Sequence, residues 1–251
     1  MKIFLSVIMP CYNEEGNLRR GVLDEVANYL EKQRYQSEVI ISDDGSTDDS
    51  LAFVKDFIKK HPTFKLLENK HAGKPYAIRS GVKKAQGKII LFTDIDQSAP
   101  IKDIAKLLPF FKNGSDVVIG SRGIERKDFP WYRKVMSWGF RIVRSWFLLK
   151  GIQDTQCGFK AFKNKVAKDL FSRLLIFKES KEIKGWRVGA FDVELLFIAQ
   201  KMNYKIAEVV VTWDDKDEAI GKQKNFLKES KEMLSEIIRV KVNDIKGKYE
   251  K

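Results

Sequence analysis

Two aspartates stand one residue apart in the stretch FTDIDQSAP, Phe92 to Pro100, directly behind the apolar run KIILF, Lys88 to Phe92. A short oily run of this kind reads as a strand, so Asp94 and Asp96 fall where a buried strand reaches the surface. Like charges held this close repel unless a cation lies between them. Oxygen-only ligands suit a hard divalent ion, Mg2+ or Mn2+. The competing reading is a turn in which Asp and Ser bond their own backbone, and the motif alone does not separate the two.

Other polar clusters follow apolar runs in the same manner: Pro10-Cys11-Tyr12-Asn13-Glu14, Asp43-Asp44-Gly45-Ser46-Thr47-Asp48 and Gly120-Ser121-Arg122. The elements that must position them alternate. Strand-like runs cover Ile3–Met9, Glu38–Ser42, Lys65–Leu67, Lys88–Thr93 and Asp116–Gly120, and helical spacing covers Glu14–Lys32, Asp49–Lys60, Pro75–Ala85 and Ile101–Lys112. Such alternation predicts an α/β fold with a largely parallel sheet between helices, and ligands in such sheets bind beyond the carboxyl ends of the strands. All four clusters then converge on one edge. Past residue 150 the alternation fades into a mixed loop around DTQCGFKAF, Asp154 to Phe162, then a helix at Phe191–Met202 and a β-branched run at Ile206–Trp213. We read these as the second half of the same sheet rather than a separate lid.

A chain of 251 residues with 43% hydrophobic content can bury one good core. The expected organisation is one domain over residues 1–215, followed by a basic loop and helical tail over 216–251. The tail's apolar residues Phe226, Met233, Leu234, Ile237 and Ile238 leave three fates open: packing on the domain, dimerisation or contact with lipid. The longest apolar runs, such as Leu5–Met9 and Trp146–Leu149, fall short of the roughly 18 residues of a spanning helix. The start reads as a first strand rather than a signal peptide, because polar Asn13-Glu14-Glu15 follows at once. Cys11 and Cys157 are too few for a disulfide framework, which points to a reducing, cytoplasmic compartment. Subtracting 34 acidic from 47 basic residues leaves +13, which suggests an anionic partner. A nucleic-acid-binding protein is the distant alternative, and the carboxylates at the strand ends argue against it.

SVIMPCYNEE, ISDDGSTDDS, TDID, VVIGSR and DTQCGFKAF, in this order, resemble the family 2 inverting glycosyltransferases of the GT-A fold. DIDQSAP, GSR, TQCGFKAF and AFDVELLF are most similar to the dolichyl-phosphate glucosyltransferase and dolichyl-phosphate mannose synthase branch, and the matches span roughly residues 3–215. The resemblance implies a Rossmann-like mixed, mostly parallel sheet that carries a hexose from a nucleotide sugar to a polyprenyl phosphate. It implies nucleotide-sugar contacts at Pro10, Tyr12, Glu14, Asp43, Asp44, Lys74 and Asp94. Gly73-Lys74 resembles the family's Gly-Lys-Gly but carries Pro75 in third place. Asp94 and Asp96 resemble the metal-binding pair, Ser98 matches the third-ligand position, and Asp96 is placed among the catalytic residues with Arg122 and Arg133. A cation there stabilises the charge that builds on a departing diphosphate.

A phosphate acceptor is already ionised and needs no strong base, only cationic donors that hold it near the sugar carbon. By resemblance Arg122, Arg133, Ser137 and Lys222 grip it, with Lys224 in the same basic loop. Asp192 or Glu194 would act as base only in the runner-up reading, transfer to a saccharide hydroxyl; otherwise the pair positions helix and loop. UDP-glucose is the favoured donor, GDP-mannose the other. The segment Pro130–Lys150 winds as a helix with Trp131, Val135, Trp138, Ile142, Trp146 and Leu149 on one side and Arg133, Lys134, Arg141 and Arg144 on the other. Arg122 to Lys150 holds eight basic and two acidic residues, a local 8 − 2 = +6. We read it as an amphipathic interfacial helix, against a core-facing one, holding the protein peripherally on the cytoplasmic face of a membrane.

Overall fold

The chain is described from a computed structural model, which defines residues 2–123, 149, 151–178, 191–214, 217–218 and 226–250. Of the predicted interfacial helix over 130–150 only Leu149 is described, and it is buried in the core; Arg133, Ser137, Lys222 and Lys224 lie outside the described residues.

The predicted alternation is present. In chain order the elements are β1 (Leu5–Cys11), α1 (Glu15–Arg19), α2 (Val22–Glu31), β2 (Ser37–Asp43), α3 (Ser50–Lys60), β3 (Phe64–Glu68), α4 (Lys74–Lys84), β4 (Ile89–Phe92), α5 (Ile104–Lys112) and β5 (Val117–Ser121). There follow β6 (Lys160–Lys163), α6 (Asn164–Arg173), α7 (Phe191–Lys201), β7 (Ile206–Val210) and α8 (Phe226–Ile245). The single helix expected over Glu14–Lys32 is two, α1 and α2. The chain turns between them at Gly21, whose φ of 86° only glycine adopts without strain.

Among the described residues one seven-stranded sheet runs in the order β3-β2-β1-β4-β6-β5-β7. All neighbouring pairs are parallel except those of β6, which is antiparallel to both β4 and β5. The stretch read as a mixed loop therefore supplies a central strand. Its KAFK sequence is too short for a periodic pattern, and its partners lie far away in the chain (Ile89↔Lys163, Val117↔Phe162). The expectation that the sheet continues past residue 150 holds.

Side-chain alternation sorts the strands into two faces. Ile8, Ile40, Phe92, Ile119 and Phe162 pack against α4, α6, α7 and one side of α8. Val7, Met9, Ile41, Leu91 and Ala161 pack against α1, α2 and α5. Phe162 stacks on Phe92 at 5.7 Å between ring centroids, with Phe171 and Phe191 at 6.4 and 6.3 Å. Each such ring contributes about 1.5–3 kcal/mol on burial, so β6 is anchored by the core it completes. For the tail, Ile237, Val240 and Tyr249 are buried in the same cluster, so α8 packs on the domain. No helix among the described residues is long and apolar enough to cross a membrane.

Candidate active site

Strands β1, β2, β4 and β5 point the same way, so their carboxyl ends deliver the four polar clusters to one edge. Pro10 fits this edge for a local reason. Ile8 O accepts the Thr93 N–H, so even-numbered residues of β1 aim at β4, and Pro10 falls past the last β4 pair, where its missing N–H costs no ladder bond. Because β6 runs the opposite way, its entry segment, Asp154 to Phe159, arrives at the same edge. A depression there is lined by Thr93, Asp94, Asp96, Ser98, Ala99, Cys157, Gly158 and Trp213.

The turn after β4 holds the acidic pair. Gln97 sits at φ 52°; its side-chain amide donates to Asp94 O (2.9 Å) and its Oε1 accepts from Ile101 N–H (2.9 Å). Gln97 thus shapes the turn from inside. The Ser98 N–H donates to Asp96 Oδ1 (2.8 Å), and Arg20 Nη2 donates to Asp96 O (2.6 Å). Burial, and then the charge of Asp94, push the Asp96 carboxyl above its usual value. Asp94 is ion-paired with Lys74. Burial works to lower the Lys74 ammonium, but Asp94 outweighs it and the net shift is upward. Gly158 lies against the other side of Asp94, where a Cβ would stand 2.0 Å from Oδ2.

A divalent cation fits this arrangement. The pair offers only oxygen, its repulsion is already answered by one cation, the Lys74 ammonium, and a missing side chain at Gly158 leaves the carboxylate room. Among the described residues no group of three or more His, Cys, Asp or Glu converges as a closed cage. That matches Mg2+-type sites, in which one or two carboxylates share the ion with substrate phosphates.

The residues expected to hold the nucleotide gather beside the pair. Asp43 accepts the Gly45 and Ser46 N–H groups (2.9 and 3.1 Å) and the Ser46 hydroxyl (2.5 Å). Asp44 is fully buried; its two oxygens accept from Ala72 N–H (3.0 Å) and Gly73 N–H (2.8 Å), and His71 Nδ1 lies 2.8 Å from Oδ2. Asp44 therefore shapes the loop that leads into Lys74. Pro75 occupies the first turn of α4, where its missing N–H costs no intrahelical bond. Tyr12 stacks on His71, 4.3 Å between centroids, and Glu14 is buried with Asn17 Nδ2 donating to Oε2 (2.6 Å).

Arg122 is held as a fork. Its Nε and Nη2 donate to Asp154 Oδ2 and Oδ1 (2.7 and 2.8 Å), its backbone N–H to Oδ2 (3.0 Å), and its guanidinium lies 5.8 Å from the Trp213 ring centre. Despite burial, Arg122 holds the Asp154 carboxyl far below the usual carboxylate range. The chain leaving β7 closes the rim: Asp214 N–H donates to Ser98 O (2.9 Å), and Glu218 N–H to Asn17 Oδ1 (3.0 Å).

Asp192 and Glu194 part company. Glu194 is fully buried and accepts from Leu175 N–H (2.8 Å), Tyr249 Oη (2.9 Å) and Arg239 Nη2 (3.0 Å), tying α7 to the C-terminal helix. Asp192 Oδ1 lies 2.8 Å from Nζ of the fully buried Lys160, toward Lys74 and Asp94. Asp154, Gly158, Lys160 and Trp213 carry functional geometry that the sequence reading did not single out. The first three sit in the strand it missed and its entry.

Glu194→Ala removes the acceptor that three donors share. We expect a loss of about 3 kcal/mol and a melting point lower by roughly 6–12 °C in thermal denaturation. Glu194→Gln, which keeps one carbonyl acceptor, loses less and retains near-normal turnover; a large fall in turnover in folded Glu194→Gln contradicts the structural assignment.

Fold and site together define a glycosyltransferase of the GT-A type. The model described as glycosyl transferase family 2 matches residues 6–171, and the chain belongs to that family. A dolichyl-phosphate beta-glucosyltransferase of Dictyostelium discoideum is 34% identical over 266 residues, covering 98% of this chain and 76% of the relative. The human protein of the same name is 36% identical over 230 residues, covering 84% of this chain and 67% of the relative. Among solved structures, glucosyl-3-phosphoglycerate synthase from Mycobacterium tuberculosis with Mn2+, UDP-glucose and phosphoglyceric acid superposes with a TM-score of 0.63 at 15% identity, covering 96% of this chain and 80% of that one. The mannosyltransferase PcManGT from Pyrobaculum calidifontis, with GDP-Man and Mn2+, gives 0.60 at 22% identity over 95% of this chain and 65% of that one. At these identities the structural matches speak to the fold alone.

Proposed function

We propose that this glycosyltransferase moves glucose from UDP-glucose to a polyprenyl phosphate of the dolichyl type, with inversion, at a membrane surface. The observation that carries the acceptor is the commitment of both candidate bases. Glu194 is buried among three donors, away from any sugar hydroxyl, and Asp192 spends its charge on buried Lys160. An acceptor that arrives ionised needs no such group. The names of the sequence relatives support glucose and dolichyl phosphate.

Asp94 and Asp96, with Ser98 beside them, would hold Mg2+ or Mn2+, and such an ion, when bound, neutralises charge on a departing diphosphate. Tyr12, Glu14 and Asp43, at the ends of β1 and β2, face the nucleoside, Pro10 and Asp44 set the backbone around them, and Lys74 serves the diphosphate. Asp154 aims the Arg122 guanidinium, and Arg122 takes the acceptor phosphate together with Arg133, Ser137 and Lys222. A planar fork fixed on one side loses little further freedom when it binds an anion on the other. The aromatic and basic segment over 130–150 rests on the lipid surface, on the cytoplasmic side.

Incubation with UDP-glucose, GDP-mannose and other nucleotide sugars, a short polyprenyl phosphate and Mg2+ or Mn2+ tests the reading. A glucosyl lipid formed from UDP-glucose is expected. Transfer to a free saccharide in preference to the lipid phosphate overturns it.

A further inference from the structure

Charges alternate inward from the depression. Asp96 and Asp94 stand at the mouth, Lys74 pairs with Asp94, the charge of Asp192 acts on the same ammonium, and Asp192 is paired with Lys160. Lys160 is fully buried and also donates to Cys157 O (2.5 Å), so it has nowhere to go. Lys74 differs. Its backbone follows Gly73, pinned by Asp44, but its ammonium ends a flexible four-carbon stem, paired with Asp94 and within the field of Asp192 and Asp96.

We propose that Lys74 is the resident counter-ion of the acidic pair, and that its ammonium must pass from Asp94 toward Asp192 and the donor diphosphate before a divalent cation settles on Asp94. The inference rests on the metal-dependent reading above and adds an order to it. An ammonium and a divalent ion on one carboxylate repel each other. The ammonium already holds one oxygen of Asp94, and the other lies toward Gly158 in the same depression, so ion and ammonium compete for one carboxylate. The cation alone therefore has to break an ion pair, whereas a cation arriving with a diphosphate brings Lys74 a new anion. Metal and nucleotide then bind with positive coupling, and the coupling is reciprocal. Asp192 becomes a positioning residue, fixed by Lys160 as the inner resting place of the ammonium.

Mn2+ binding to the protein without sugar donor, followed by the EPR signal of free Mn2+, tests this in wild type, Lys74→Met and Lys74→Arg, each with and without UDP. In wild type UDP tightens Mn2+ by about 10-fold or more, within the range usual for coupled sites. Lys74→Met binds Mn2+ alone about 10-fold more tightly than wild type, and UDP adds correspondingly less. Lys74→Arg, which keeps a cation, behaves as wild type. Should Lys74→Met fail to fold, Lys74→Gln makes the same comparison. Unchanged or weaker Mn2+ binding in the neutral variant overturns the inference and leaves the metal reading standing. Failure of every variant to bind Mn2+ even with UDP overturns both.

Discussion

Replacing Asp94 and Asp96 together by Asn is expected to lower sugar transfer by about 10³-fold, the scale on which removal of preorganised charge at a reacting centre acts. The protein itself should tolerate the change. Asp96 is half-buried beside a like charge, and loss of solvation and that neighbour push its carboxyl upward, so its ionised form is held at a cost to the folded state. Asp96→Asn alone should therefore melt at or above the wild-type temperature while losing activity. Asp94→Asn should melt slightly lower, because Lys74 then faces the depression without its closest partner. Activity lost while stability is kept marks carboxylates held for chemistry. Transfer by the double variant within tenfold of wild type, without added divalent salt, would remove the central role given to the pair.

The second large effect needs only a methyl group. In Gly158→Ala the new Cβ would stand 2.0 Å from Asp94 Oδ2, 2.7 Å from Cγ and 3.0 Å from Oδ1. No real Cβ tolerates such approaches, so the Asp94 carboxylate must rotate away from its place. A misplacement on the order of 1 Å at a reacting centre costs about 100-fold in rate, and we expect a fall of that size. Mn2+ binding in the presence of UDP should weaken in parallel, while the far-ultraviolet circular dichroism stays that of wild type, since the clash is with one side-chain tip. Normal turnover in folded Gly158→Ala would mean that Asp94 works from some other position.

The first half of the molecule was legible because each of its strands is built on a short apolar run followed by a helix of regular period, and the runs end in polar residues that the topology carries to one edge. Asp94 and Asp96 stood out for that reason. Asp43 and Asp44 show the difficulty: a carboxylate that caps a loop and one that faces a ligand are the same letters, and the loop N–H groups that both accept appear only in three dimensions. The central strand β6 escaped notice because four residues carry no period and its partners are remote. With it went Asp154, Gly158 and Lys160, whose roles depend on an antiparallel strand bringing its beginning to the site. Glu194 and Asp192, two residues apart on α7, looked like alternatives for one task, and three-dimensional neighbours give them separate ones.

The placement of β6 also bears on synthesis. A chain translated as far as Ser121 contains β4 and β5 but not the strand that bridges them, so β4 keeps an open edge until Lys160–Lys163 is made, and β5 lacks both its neighbours, β6 and β7. Open strand edges invite pairing with other chains. In the interval between translating β5 and translating β6, strand edges that the finished sheet buries therefore stay open.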